Sequence, residues 1–111
     1  MSQQHIVKSF DADLQELRRA IAEMGGIAEK MLDDSIVALA RRDPDLAHKV
    51  INLDVRLDDL QREIEENGIL TIARRQPMAV DLREIISAIR IAGDLERIGD
   101  LAKNIAKRVL V

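Results

Sequence analysis

Apolar or small residues recur along the first third of the chain at alternating steps of four and three. Phe10, Leu14, Leu17, Ile21, Met24, Ala28, Met31, Ser35 and Ala38 follow this spacing without a break. The period is that of a helix burying one stripe in a bundle. The first helix is expected over about 9–42, with 1–8 poorly ordered. Gly25-Gly26 falls inside it, and each glycine costs about 1 kcal/mol relative to alanine. Such a pair points to close approach by another helix, or to a kink. "RRDPDLA" (41–47) ends the element. Asp43 suits an N-cap, Pro44 the first helical turn, and Asp45 the positive end of the helix dipole.

The second helix, about 44–74, repeats the spacing through Leu46, Val50, Leu53, Leu57, Leu60 and Ile64. At "RRQPMA" (74–79), Pro77 pushes Gln76 out of helical geometry and opens a third helix over about 77–111. Both breaks are short, so sequential helices run antiparallel. The fold class is all-α, an up-down-up three-helix bundle of long helices.

The third helix carries two stripes. One holds Met78, Leu82, Ile85, Ile89, Ala92, Glu96 and Asp100; the other holds Ala88, Ile91, Leu95, Ile98, Ala102, Ile105 and Val109. Either this helix is central, or it offers one stripe to a partner outside the chain. Ile91, Leu95, Ile98, Ala102, Ile105 and Val109 are therefore candidates for a helix–helix interface.

The first stripe turns acidic at Glu96 and Asp100, and the next turns on that side bring Lys103 and Lys107. Like charges four apart on a helix repel by a few tenths of a kcal/mol. The second helix has a similar pair, Asp54 and Asp58, flanking the core positions Leu53 and Leu57. Counting equally back and forward from the turn near Gln76 puts all four acids at nearly one height. Four converging carboxylates need neutralising. A cation such as Mg, Ca, Mn or Fe does this, and helix-borne carboxylate sites occur in bundles. Arg56, Arg62, Arg90 and Arg97 offer the alternative, salt bridges alone. Gly99 suits close helix approach, and Arg97 is placed to balance the acids.

The remaining chemistry is thin. The 111 residues suit one small domain, and a charge of −3, from 17 basic and 20 acidic residues, does not favour nucleic acid. Phe10 is the one aromatic residue, which excludes a base-stacking platform. Without cysteine there is neither a disulfide nor a thiolate site. No apolar run approaches the roughly 20 residues of a membrane span, and MSQQHIVKSF lacks the order of a signal peptide. A cytoplasmic location follows. His5 and His48 have no partner at ligand spacing. Ser9, Ser35, Thr71 and Ser87 have no neighbouring histidine to activate them, so an enzyme is not expected. Arg75, with Asp81, Arg83 and Arg97, is a candidate for contact with a partner or an anion.

Four stretches together resemble the PhoU family: FDADLQELRRAIAEMGGIAE (10–29), DPDLAHKVINLDVRLDDLQREIEE (43–66), IARRQPMAVDLREIISAIR (72–90) and DLERIGDLAKNIAKR (94–108). The resemblance covers nearly the whole chain and rests most firmly on RQPxAxDLR and ERIGDxAxxI. It implies two similar three-helix bundles in a full member, of which this chain supplies the first, as a truncation, a fragment or a natural half-length version. It implies an acidic motif, here Glu96 and Asp100 with Asp54 and Asp58, that holds iron, zinc or another metal. No organic cofactor is implied. It further implies a non-catalytic regulator of phosphate homeostasis, a negative regulator of phosphate uptake and phosphate-starvation signalling. Its partners would be the ATPase subunit of a phosphate ABC transporter and a membrane sensor histidine kinase. Without a second bundle, the spare apolar stripe is expected to be covered by self-association. The competing class is a structural helical interaction module whose acids form salt bridges and hold no metal.

Overall fold

A computed structural model describes residues 3–111, with side chains described from Lys8 onward. Three antiparallel helices follow in chain order, α1 (Gln3–Arg41), α2 (Pro44–Arg75) and α3 (Ala79–Val109), and each packs on both others. At about 1.5 Å per residue, 39 residues of α1 span the 59 Å long axis of the molecule. The expected all-helical, up-down-up bundle is therefore the observed one. Helix α1 begins well before Ser9, so that the chain from Gln3 is helical; residues 1 and 2 of the stretch expected to be poorly ordered lie outside the described residues.

The two breaks work as their residues dictate. Arg42 takes a left-handed conformation, and Asp43 caps α2 by accepting a hydrogen bond from the Leu46 amide at 3.1 Å. Pro44 follows at the first helical position. Gln76, ahead of Pro77, leaves helical geometry for the left-handed region, and its amide bonds Ile72 O at 3.1 Å. Helix α3 starts at Ala79, two residues after Pro77, with Met78 as a cap that makes no side-chain bond.

The core is a heptad seam on each helix. Leu17, Met24, Met31 and Ala38 are buried on α1; Val50, Leu57 and Ile64 are buried on α2. On α3 the buried seam is Ile85, Ala92, Gly99 and Ala106, joined by Ala102. This corrects the picture of two separate stripes. The seam takes Ile85 and Ala92 from one stripe and Ala102 from the other, with Gly99 and Ala106 joining them, so both stripes belong to one broad face. Leu95, Ile89 and Val109 pack against the core from the edges of that face. Ala102 is fully buried within the bundle, whereas Ile91 is 44% exposed and Ile98 and Met78 lie open to solvent.

Small residues on this seam set the spacing of α2 and α3. A Cβ on Gly99 would overlap Leu57 Cδ2, and one on Gly68 would lie 3.0 Å from Ile89 Cδ1 and 3.3 Å from Ile85 Cγ2. The helices thus meet with Gly99 against Leu57 and Gly68 against Ile85. Gly25 and Gly26 differ: a Cβ at either meets nothing within 4 Å. The expected close approach is absent there, and α1 continues unbroken through the pair.

Alanine at these sites should separate the two roles. Leu57 is fully buried, so making room for a Cβ requires repacking it, and Gly99→Ala carries an overpacking cost of about 1–3 kcal/mol. That exceeds the helix-propensity gain of up to about 1 kcal/mol. Thermal melting should show Gly99→Ala below the unsubstituted chain and Gly26→Ala at or above it. Equal melting of the two variants would contradict the close-approach account.

Candidate metal centre

Asp54 occupies a core position on α2, one heptad after the buried Ala47, and is only 5% exposed. A carboxylate there is costly unless neutralised or bonded. The Gly99 contact decides what faces it. With α3 pressed close at Gly99, the residues three before and one after, Glu96 and Asp100, flank the Asp54 carboxylate. Carboxylate oxygens of Asp54, Glu96 and Asp100 lie within 4.8 Å of one another. Asp58, one turn along α2, adjoins Glu96. The structure thus assembles Asp54, Glu96 and Asp100 directly, with Asp58 at their margin.

Two oxygens in this cluster stand out. Among the described residues, the buried side-chain oxygens or nitrogens without a hydrogen-bond partner are Asp54 Oδ1 and Glu96 Oε2. The other buried polar side chains are satisfied within their own helices: Ser35 Oγ donates to Leu32 O and Thr71 Oγ1 to Asn67 O, both at 2.7 Å. The unmet acceptors therefore concentrate where the acids converge.

One cation of the chain itself reaches the cluster. Lys103 Nζ donates to Asp54 Oδ2 at 2.9 Å and lies 3.7 Å from Asp100 Oδ1. Asp54 holds the Lys103 ammonium above its ordinary pKa, by hydrogen bond and by charge. Three of the four arginines named for neutralisation are committed elsewhere, Arg56 to Glu23, Arg62 to Asp59 and Arg97 to Asp94, and Arg90 is exposed and makes no ion pair with the cluster. Lys103 is seven residues from Glu96 and three from Asp100, a spacing that puts it on their face.

Glu96 bears the strain of this crowding. Its pKa rises from 4.5 to about 8, first through burial, then by hydrogen bonding to Asp58 in its protonated form, and then by the charges of Asp58, Asp54 and Asp100. A metal fits these observations. Carboxylate oxygens bind Mg²⁺ or Zn²⁺ at about 2.0–2.2 Å and Ca²⁺ at about 2.3–2.6 Å, so oxygens around one ion stand up to about 4–5 Å apart. The observed spacing matches, and an all-oxygen donor set suits hard cations.

The other candidates do not form one site. Arg75 pairs with Asp13 of α1 at 3.2 Å. Arg83 Nε donates to Ala79 O at 3.3 Å, and Asp81 lies on the same first turns of α3. Arg97 sits about 20 Å further along the helix, on an exposed ion pair. His48 is exposed, and the side chain of His5 lies outside the described residues.

Fold and cluster define a class: an all-helical bundle with a carboxylate cluster on two facing helices. The PhoU domain family matches residues 21–109, and the chain belongs to it. The Rhizobium meliloti phosphate-specific transport system accessory protein PhoU homolog is 59% identical over 110 residues, covering 99% of this chain and 46% of the relative. The Caulobacter vibrioides homolog of the same name is 52% identical over 108 residues, covering 97% of this chain and 47% of the relative. The crystal structure of PhoU from Pseudomonas aeruginosa superposes with a TM-score of 0.87 at 42% identity, covering 90% of this chain and 48% of that one. The chain thus spans about half the length of the relatives it matches. Among the described residues, no helix is long and apolar enough to cross a membrane.

The raised pKa of Glu96 fixes a pH dependence. Between about 4.5 and 8 the folded chain holds a proton that the unfolded chain releases. The associated stability is fully present below about pH 4.5 and is lost as pH rises through about 8. In chelator, Glu96→Gln should match the unsubstituted chain near pH 5 and exceed it near pH 8 in urea unfolding. Parallel pH profiles for the two would contradict this electrostatic picture.

Proposed function

We propose that the chain is a metal-responsive regulatory module of phosphate homeostasis, a non-enzymatic negative regulator of phosphate uptake and starvation signalling. The observation that carries the metal part is the pair of buried, unpartnered oxygens, Asp54 Oδ1 and Glu96 Oε2, in one carboxylate cluster. Asp54, Glu96 and Asp100 supply the ligands, with Asp58 beside them, and the ion is Mn²⁺, Mg²⁺, Ca²⁺, Zn²⁺ or iron. A bound ion would neutralise the cluster and clamp α2 to α3.

Family membership and the names of the relatives support the phosphate-transport role. The proposed partners are the transporter's ATPase subunit and a membrane sensor histidine kinase, which places the module in the cytoplasm. The exposed edge of α3, with Ile91, Ile98 and Leu101, supports self-association, the apolar surface of one copy covering that of another. Leu95, Ile105 and Val109 would flank that edge. Ala102, being buried, would support it only from within.

One observation favours the structural reading instead: the Lys103–Asp54 ion pair already supplies a cation to the cluster. Purification without chelator, followed by elemental analysis, distinguishes the two. The regulatory reading predicts bound metal that Glu96→Ala and Asp100→Ala remove. It also predicts capture of the ATPase and the kinase in pull-downs, and a dimer or larger species by light scattering. Metal content unchanged by these substitutions contradicts the site, and a dilute monomer contradicts self-association.

A further inference from the structure

We propose that Lys103 is a built-in cation of the carboxylate cluster, and that its ammonium and a metal ion hold that place alternately. This rests on the metal reading above for one of its two states. The first state is the one the structure presents. Lys103 Nζ is 2.9 Å from Asp54 Oδ2 and 3.7 Å from Asp100 Oδ1, two of the three residues whose oxygens lie within 4.8 Å of one another. A cation on those oxygens would therefore sit against the ammonium.

The ammonium neutralises the cluster only in part. It reaches one oxygen of Asp54 and leaves Oδ1 of the same carboxylate, and Glu96 Oε2, buried without a partner. The ammonium has three N–H donors, yet it lies within 4 Å of Asp54 and Asp100 only and not of Glu96; a multivalent ion with several coordination positions can take all three acids. The same asymmetry gives Lys103 somewhere to go. Its side chain is 26% exposed, whereas that of Asp54 is 7% exposed. Rotation about the flexible four-carbon stem can move the charge to solvent, while the carboxylate has no such exit. Lys107 lies exposed one turn further along α3, so a displaced Lys103 would add to positive charge on that face. Metal occupancy would then be legible on the surface. The chain would also keep its fold without metal.

Two measurements with Mn²⁺ test the exchange. In the first, lysine acetylation of the unsubstituted chain is followed by mass spectrometry. Saturating Mn²⁺ should raise labelling of Lys103 several-fold and leave Lys49 unchanged. In the second, Lys103→Met and Lys103→Arg are compared by calorimetric titration and by melting in chelator. Lys103→Met should bind Mn²⁺ at least tenfold more tightly than the unsubstituted chain and melt lower in chelator. Lys103→Arg, which keeps the cation, should do neither. Mn²⁺ binding that leaves Lys103 labelling unchanged, or equal affinity for Lys103→Met, overturns the exchange and leaves the metal reading standing. Absence of Mn²⁺ binding in all three chains overturns both. The labelling arm needs no variant, so a Lys103→Met chain that failed to fold would not shield the proposal.

Discussion

The approach of α3 to α2 at Gly99 is the constraint on which the rest depends. With no side chain at that position, the α3 backbone lies against Leu57 and beside Asp54. Ala92, Ala102 and Ala106 continue the thin seam above and below. A larger residue at Gly99 would hold the helices apart, and the carboxylates on them would separate as well. Packing and chemistry are thus tied together. The residues that let the helices close are the ones that force the acids into one another's fields.

That confinement explains the electrostatics. Three carboxylates share a small, partly dry volume, and water cannot neutralise the innermost one. The chain responds in two ways. Glu96 retains its proton well above the ordinary carboxylate range, and Lys103 brings an ammonium to Asp54. Neither response gives Asp54 Oδ1 a partner. A buried unmet acceptor is destabilising by roughly 1–3 kcal/mol, more if charged, and an ordered water or a cation can meet it. The unmet oxygens and the acids around them are local to the α2–α3 contact.

Much of this was legible in the residues. The steps of four and three name most of the buried positions of α1, and Val50, Leu57, Leu60 and Ile64 on α2, because regularly spaced apolar residues share one face; Leu46 and Leu53 are only half-buried, and the buried Ala47, Asp54, Gly68 and Thr71 lie outside those steps. Asp43-Pro44 and Pro77 marked the turns through backbone chemistry that tertiary packing rarely overrides. Counting from Gln76 brought Asp54 and Asp58 opposite Glu96 and Asp100. The seam of α3 was harder to see, since Ala92, Gly99, Ala102 and Ala106 carry little hydrophobic signal, and the larger residues beside them drew two stripes where one face exists. Gly25-Gly26 and Gly99 look alike in sequence, yet only the residue opposite decides whether a glycine serves contact. Lys103 stood on the acidic face by spacing. Its reach to Asp54 depends on a long side chain crossing to another helix, which no periodicity encodes.

The central claim is that the Asp54–Glu96–Asp100 cluster takes either the Lys103 ammonium or a metal ion. Anomalous diffraction from crystals of this chain soaked in Mn²⁺ tests it most directly. The account predicts a manganese peak among the three carboxylates, with the Lys103 side chain turned away from Asp54. A cluster without manganese, or a manganese site elsewhere with Lys103 still bonded to Asp54, would contradict it.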